Sequence, residues 1–385
     1  MAGPSQNTVS PQQVNNYASM LVRSRAKRMV QRTYQQTITV TSGTANTINI
    51  PLRPVGLLTG LKVVVSGTIA QSASETLTRT ALGAANVLSN ISLVDLSSNT
   101  RVNAPGWYLH ALATVRRNAP FGAAYTSDDT AGYGSNFAVN TMPASVTTAQ
   151  NFRHFYDVPV AVGPDDLRGA IYAAVTSATL NLQLTVNPSF VAASGANATQ
   201  SVYSSSTAAL GTIGSFQVTI YQEYFDMLPT DPTSGLVILP PLDLAKAYMI
   251  NYSVYTGLAA NAQFPISFAN WREFQSAFFI YDNNGTLNVG TDITEILLQS
   301  ANLTNIIQLD PYLCQLYVRE RVNVDMPKGT YYIDFRRQPL ITQEFGNLQL
   351  TITPSAVTGG AQLLVGWEAI ADQNTVMLSG AFRQN

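Results

Sequence analysis

Apolar and polar positions alternate at a period of two in short runs along most of the chain. Gln36-TITV, Ala45-NTINI, Leu61-KVVVSGTI, Leu180-NLQLTV, Phe216-QVTIY, Tyr331-YIDF and Leu348-QLTI are the clearest. Such runs, rich in Val, Ile, Tyr and Phe, predict strands with one buried face. Apolar residues at helical spacing are confined to 11–33, 107–117, 243–249 and 292–302. The pattern predicts an all-β protein with a few short helices. Doubled or closed sheets dispose of exposed edges, so a sandwich is expected, with a jelly roll the best match to domains of this size.

One run occurs twice. Residues 181–189 read NLQLTVNPS and residues 347–355 read NLQLTITPS, with seven of nine letters shared across 166 positions. The flanks repeat in the same order. A Tyr/Asp segment precedes each copy, Phe155-YDVPV in one and Tyr331-YID in the other. A last apolar strand follows each, Ser215-FQVTIYQEYF and Ala361-QLLVGWEAIA. Further upstream, Leu93-Val94-Asp95 leads through Gly106 to WYLHALATVRR, and Phe279-IYD leads through Gly290 to DITEILLQSANL. Four elements recurring in order predict a tandem duplication.

The junction falls in Pro229-TDPTSGLVILPP-Leu242, where prolines at 229, 232, 240 and 241 deny ladder hydrogen bonds. The expected division is an arm over 1–33, a first jelly roll over 34–228, a connector over 229–242 and a second jelly roll over 243–385. Two long segments, Pro120–Thr148 and Val191–Gly214, read as inserted loops with functional roles.

Charge changes this picture. Charged residues make up 11% of the chain, and none occurs between Arg168 and Glu223. An ordinary domain carries about 25%. Surface this poor in charge is expected to be covered by other copies of the chain. No apolar run approaches the ~20 residues a spanning helix needs, and no charged region followed by an apolar core opens the chain as a secretory signal would.

Candidate chemistry fails group by group. The two histidines, His110 and His154, belong to no metal-binding motif and read as packed core residues. Asp128-Asp129 and Asp165-Asp166 are sequence neighbours, unlike the facing carboxylates of a glycosidase; the second pair reads as a turn or helix cap. Asp282-Asn283-Asn284-Gly285 fails the EF-hand spacing, which would need Gly at Leu287 and Glu at Ile293. Asn284-Gly285 is a hairpin signal there, and a calcium site of another kind stays open. The single cysteine, Cys314, excludes an intrachain disulfide. No catalytic residue, cofactor or metal is expected.

The N-terminal arm stands apart. No acid precedes Glu75, while residues 11–33 carry Arg23, Arg25, Lys27, Arg28 and Arg32. Read as one helix opened by Pro11, the segment aligns Ala18, Val22, Ala26 and Met29 in a stripe with basic residues beside it. Such a segment meets an anionic membrane or a nucleic acid.

Pro105-GWYLHALATVRRNAPF, Ile238-LPPLDLAKAY, Phe279-IYDNNGTLNVGTDI, Asp325-MPKGTYYIDFRRQPL and Phe345-GNLQLTITP together resemble the double jelly-roll major capsid proteins of tectiviruses, icosahedral bacteriophages with an internal membrane. The resemblance covers nearly the whole chain. It implies two jelly rolls in tandem and a trimeric, pseudo-hexagonal capsomer that tiles an icosahedral shell. It also implies loops rising outward and an N-terminal helix toward the membrane. On that reading the partners are the chain itself, neighbouring capsomers, the internal membrane and other virion proteins such as vertex and minor capsid proteins, with no direct nucleic acid. The protein would reside in the virion shell after synthesis in the host bacterial cytoplasm. The rival reading is a phage receptor-binding spike that recognises a host glycan; the scattered loop aromatics Phe121, Tyr125, Tyr133, Phe137 and Tyr203 speak against it.

Overall fold

The computed structural model describes residues 10–80, 82–116, 141–163, 165–174, 179–196, 200–268, 272–287, 292–300, 305–322, 329–341 and 348–372. Helix α1 (Pro11–Arg25) leads into the first half. That half holds strands β1 (Lys27–Ile38), β2 (Asn46–Pro51), β3 (Leu57–Ala70), β4 (Leu88–Val94) and β5 (Thr100–Ala104), helix α2 (Gly106–Arg116), then β6 (Gln150–Pro159), β7 (Asn181–Val186) and β8 (Thr212–Asp226). After a single helical turn at Pro241–Leu244, the second half repeats the series. It contains β9 (Lys246–Tyr255), β10 (Phe264–Ser267), β11 (Arg272–Asp282), β12 (Ile293–Ser300), β13 (Ile307–Leu309), helix α3 (Pro311–Val322), β14 (Thr330–Asp334), β15 (Leu348–Pro354) and β16 (Gln362–Asp372).

Strand pairing makes the duplication explicit. The first half forms sheets of order β1-β8-β3-β6 and β2-β7-β4-β5, and the second forms β9-β16-β11-β14 and β10-β15-β12-β13. Adding eight to each strand of the first half gives the second. Each half is an eight-stranded, two-sheet jelly roll. The repeated nonamer supplies β7 and β15, each held between the second and fourth strands of its half. In β7, Leu182, Leu184 and Val186 are buried while Asn181 and Gln183 are exposed. In β15, Leu348 and Leu350 are buried and Gln349 is half-buried; Asn347 lies outside the described residues.

Short strands Leu77–Arg79, Ser145–Val146, Val191–Ala192 and Tyr203–Ser205 build a further small sheet. The segments expected as long loops therefore contribute strands at their ends; Asp128-Asp129 and residues 117–140 lie outside the described residues.

Three helical expectations need correction. The segment 11–33 is helical only to Arg25: Ala26 is extended (φ −73°, ψ 152°) and β1 begins at Lys27. Antiparallel pairing with β8 from Lys27↔Asp226 to Ile38↔Phe216 satisfies the backbone there, and Met29, Tyr34 and Ile38 pack on the first core. The segment 243–249 gives way to β9 at Lys246, paired with β16. Of the segment 292–302, Ile293–Ser300 form β12, because a bulge between Ile293 and Glu295 turns Ile293 and Ile296, three apart, to the same core; residues 301 and 302 lie outside the described residues. Consequently β4 corresponds to β12 rather than to the Phe279-IYD strand, and the counterpart of α2 is α3. Asn284 and Gly285 do turn with positive φ (54° and 88°), but the next strand, β12, joins the opposite sheet.

Candidate assembly surfaces

The two halves are joined by strand pairing between unlike edges. Strand β5 pairs in parallel with β9 (Val102↔Ile250, Asn103↔Asn251), fusing a sheet of each half into one. Helix α2, which follows β5, lies against the second half's sheet. The Trp107 ring is 5.6 Å from Tyr252 and 5.7 Å from Phe278, and Tyr108 is 5.8 Å from Phe278. The Tyr108 ring also covers Gly366, where a Cβ would sit 2.3 Å from its Cζ, so only glycine admits this approach. Sheet β9-β16-β11-β14 is thus buried on both faces, one by its own core and one by α2.

A polar network crosses the same joint. Buried Glu368 on β16 accepts hydrogen bonds from Ser276 and Tyr248 and pairs with Arg116 at the end of α2. Burial works to raise the Glu368 pKa, but Arg116 and the hydroxyl donors outweigh it and hold the carboxylate below its ordinary value. A buried charge pair is retained only when its geometry is satisfied, and here three donors converge on one carboxylate. Nothing in the periodicity marked Glu368, Tyr248 or Arg116.

A cleft of about 520 Å³ beside this network is lined by Arg28, Lys62, Arg116, Asp157, Glu223 and Glu368 among others. Several of its charges pair across it: Lys62 with Asp157 and, at 3.8 Å, with Glu223, and Arg116 with Glu368. The arrangement is an ionic seam.

The arm is built into the first half. Ser10 and Gln13 form a reciprocal capping box, with Pro11 in the first turn. Val22 packs with Leu57, Ala161, Leu167, Ala170 and Phe225. Buried Asn15 donates to Asp243 Oδ1 (3.0 Å) and accepts from the backbone N–H of Leu242 (2.9 Å) and Asp243 (3.1 Å), tying α1 to the connector. Arg23 donates to the Asp165 carbonyl at 3.0 Å. The five basic residues are all exposed, yet only Arg23 and Arg25 lie on the helix; Lys27, Arg28 and Arg32 lie on β1. Opposite the buried stripe, α1 exposes Val14, Tyr17 and Met20.

The two histidines come together in the first core, with ring centroids 5.1 Å apart. Burial, and secondarily His110, pushes the His154 pKa well below 6.5, and neither ring nitrogen of His154 has a hydrogen-bond partner. Asp166 grips the Arg168 side chain and backbone N–H in a turn. Cys314 is buried, its pKa pushed up to about 12 by that burial. Among the described residues, no three His, Cys, Asp or Glu side chains group as metal ligands.

Two tandem jelly rolls fused through one sheet define the class of double jelly-roll viral coat proteins. Solved members share this fold: the STIV MCP superposes with a TM-score of 0.66 at 14% identity, covering 91% of this chain and 99% of that one. PBCV-1 VP54 superposes with a TM-score of 0.57 at 12% identity, over 89% and 93%.

Sequence narrows the class to one family. The family of P3 major capsid protein N-terminal domains matches residues 19–228, and that of the C-terminal domains residues 245–382. Major capsid protein P3 of Enterobacteria phage PRD1 is 31% identical over 378 residues, 95% of each chain. The chain belongs to the P3 major capsid protein family.

Proposed function

We propose that this major capsid protein assembles as a homotrimer whose six jelly rolls form a pseudo-hexagonal capsomer, and that capsomers tile an icosahedral shell around an internal membrane. The carrying observation is the asymmetry of the joint. Within the chain it uses the β5 edge of one half and the β9 edge of the other. The complementary edges, β13 and β1, end their sheets among the described residues. A contact between unlike surfaces that repeats from chain to chain closes into a ring or grows without limit, and a closed shell of capsomers needs the ring.

The arm supplies the membrane side of the reading. Arg23 and Arg25 share α1 with the exposed apolar residues Val14, Tyr17 and Met20, Lys27 and Arg28 follow at the start of β1, and Met227 (72% exposed), just after β8, and Leu236 (71%), in the connector, are exposed as well. Apolar residues flanked by cations suit an anionic lipid surface. Each cation there contributes about 1 kcal/mol, screened over about 8 Å at physiological salt. Vertex and minor capsid proteins are further expected partners.

Negatively stained particles viewed by electron microscopy test the capsomer: hexagonal outlines support it, and elongated trimers that bind glycans support a spike. Flotation with phosphatidylserine vesicles tests the arm. Replacing Arg23, Arg25, Lys27, Arg28 and Arg32 with Gln should abolish flotation at physiological salt, and replacing Arg23 and Arg25 alone should remove much of it. Salt-sensitive DNA binding without vesicle binding would assign the arm to nucleic acid instead. Deleting residues 1–33 does not isolate the arm, since it removes the start of β1.

A further inference from the structure

A hollow of about 450 Å³ opens on the first half beside the connector, lined by Arg53, Tyr172, Asp226, Met227, Leu228 and Val237 among others. Two backbone segments build it. The stretch after β2 runs against the end of β8: a Cβ on Gly56 would sit 2.2 Å from the Phe225 carbonyl oxygen, so only glycine admits the approach. Buried Gln222 on β8 donates to the Arg53 carbonyl at 3.0 Å and pins the stretch there. Asp226 closes β8, and its Oδ1 accepts from the Met227 N–H at 2.9 Å. Met227 is held at φ 50°, a left-handed conformation that L side chains seldom adopt, with its side chain 72% exposed.

The charges of the hollow stand apart from others on this half. Lys62 and Arg168 pair with carboxylates. Arg53 and Asp226 are exposed on the same hollow, and neither makes an ion pair among the described residues. Lys27 stands opposite Asp226 in the β1–β8 register without pairing with it. Met227, Val237 (39% exposed) and half-buried Leu228 give the hollow an apolar side. Tyr172 and Leu228 also pack on the cluster that seats Val22 of α1, so the hollow is continuous with the arm. A guanidinium suits a phosphate, a carboxylate accepts strong hydrogen bonds from an ammonium, and the apolar side suits the start of an acyl chain.

We infer that this hollow holds the headgroup of a phosphatidylethanolamine, with its phosphate at Arg53, its ammonium at Asp226 and its upper acyl chain against Met227 and Val237. The inference rests on the membrane reading of the arm and adds a lipid class to it. The arm's cations answer to the net negative charge of a surface, whereas the hollow matches a headgroup of no net charge. A choline headgroup carries the same phosphate but has no N–H to donate to Asp226.

Flotation of the native protein tests it, with vesicles that hold a fixed fraction of phosphatidylserine and are completed by either phosphatidylcholine or phosphatidylethanolamine. At this equal net charge the protein should bind the ethanolamine vesicles about tenfold more strongly. Arg53→Gln and Asp226→Asn should each lose that preference while still floating with the choline vesicles. Both side chains are exposed, and Asn keeps an acceptor for the Met227 N–H, so each variant should keep wild-type circular dichroism. Dissolved O-phosphoethanolamine should compete for the preference better than inorganic phosphate does; equal competition would overturn the headgroup assignment. Equal binding of wild type to the two vesicles, or a preference that survives both substitutions, overturns the site and leaves the membrane reading of the arm standing. Failure to float with either vesicle overturns both.

Discussion

Helices α2 and α3 began as one element and now live in different surroundings. The first lies between two jelly rolls of the same chain, and nine of its eleven residues are buried, so it reads as part of a core. The second lies in the last jelly roll, and its outward face keeps Tyr312, Leu313 and Leu316 exposed. A duplicated chain always leaves one such end. What the first helix finds in the next half, the second does not find in its own, and the difference between them marks which of the two is part of a core.

Substitutions can break or sharpen this contrast. The largest effect is expected in the strands common to both halves. Leu350→Asp and Leu184→Asp, each at a site 0% exposed, should prevent folding, since an unpaired buried carboxylate costs several kcal/mol. Expression without a cooperative thermal transition is the readout. Next comes Trp107→Ala, which should cost about 3–5 kcal/mol in chemical denaturation, whereas Tyr312→Ala should leave the unassembled chain within about 0.5 kcal/mol. Equal costs at the two positions would erase the distinction between the helices.

Between pH 7.5 and 5.5, acid should act on the α2 side through His154. His154 binds its proton less readily folded than unfolded, because burial disfavours the charged form. The unfolded chain therefore takes up the proton first as pH falls below 6.5, and stability declines by up to about 1.4 kcal/mol per pH unit. The contribution is complete above that value. Thermal midpoints at pH 7.5, 6.5 and 5.5 should fall less steeply in His154→Phe than in wild type; parallel slopes would contradict the assignment. The smallest effect belongs to Gln349→Glu on half-buried β15, within about 0.5 kcal/mol by denaturation.

The sequence carried the architecture further than the surfaces. Period-two runs located strands such as β7 and β15, and the nonamer identified them as equivalents, because a strand with one buried face writes its alternation directly into the chain. Helix α3 left no stripe: Cys314 and Val318 face inward while Tyr312, Leu313 and Leu316 face outward, so no polar side sets a 3.6-residue period. Strand β12 looked helical because a bulge brought Ile293 and Ile296 to one face. The five basic residues of the arm were legible as a cluster, but their division between α1 and β1 depends on pairing with β8, some 190 positions away in the chain. Glu368, Arg116 and Tyr248 come from three distant elements, and no local pattern joins them.

The central claim is that the chain repeats its internal joint with copies of itself and closes at three. The mass of the native protein by size exclusion with light scattering tests it most directly. A single species at three times the 41.5 kDa of one chain, unchanged on dilution through the micromolar range, is the predicted result. A monodisperse monomer of 41.5 kDa over the same range would contradict it.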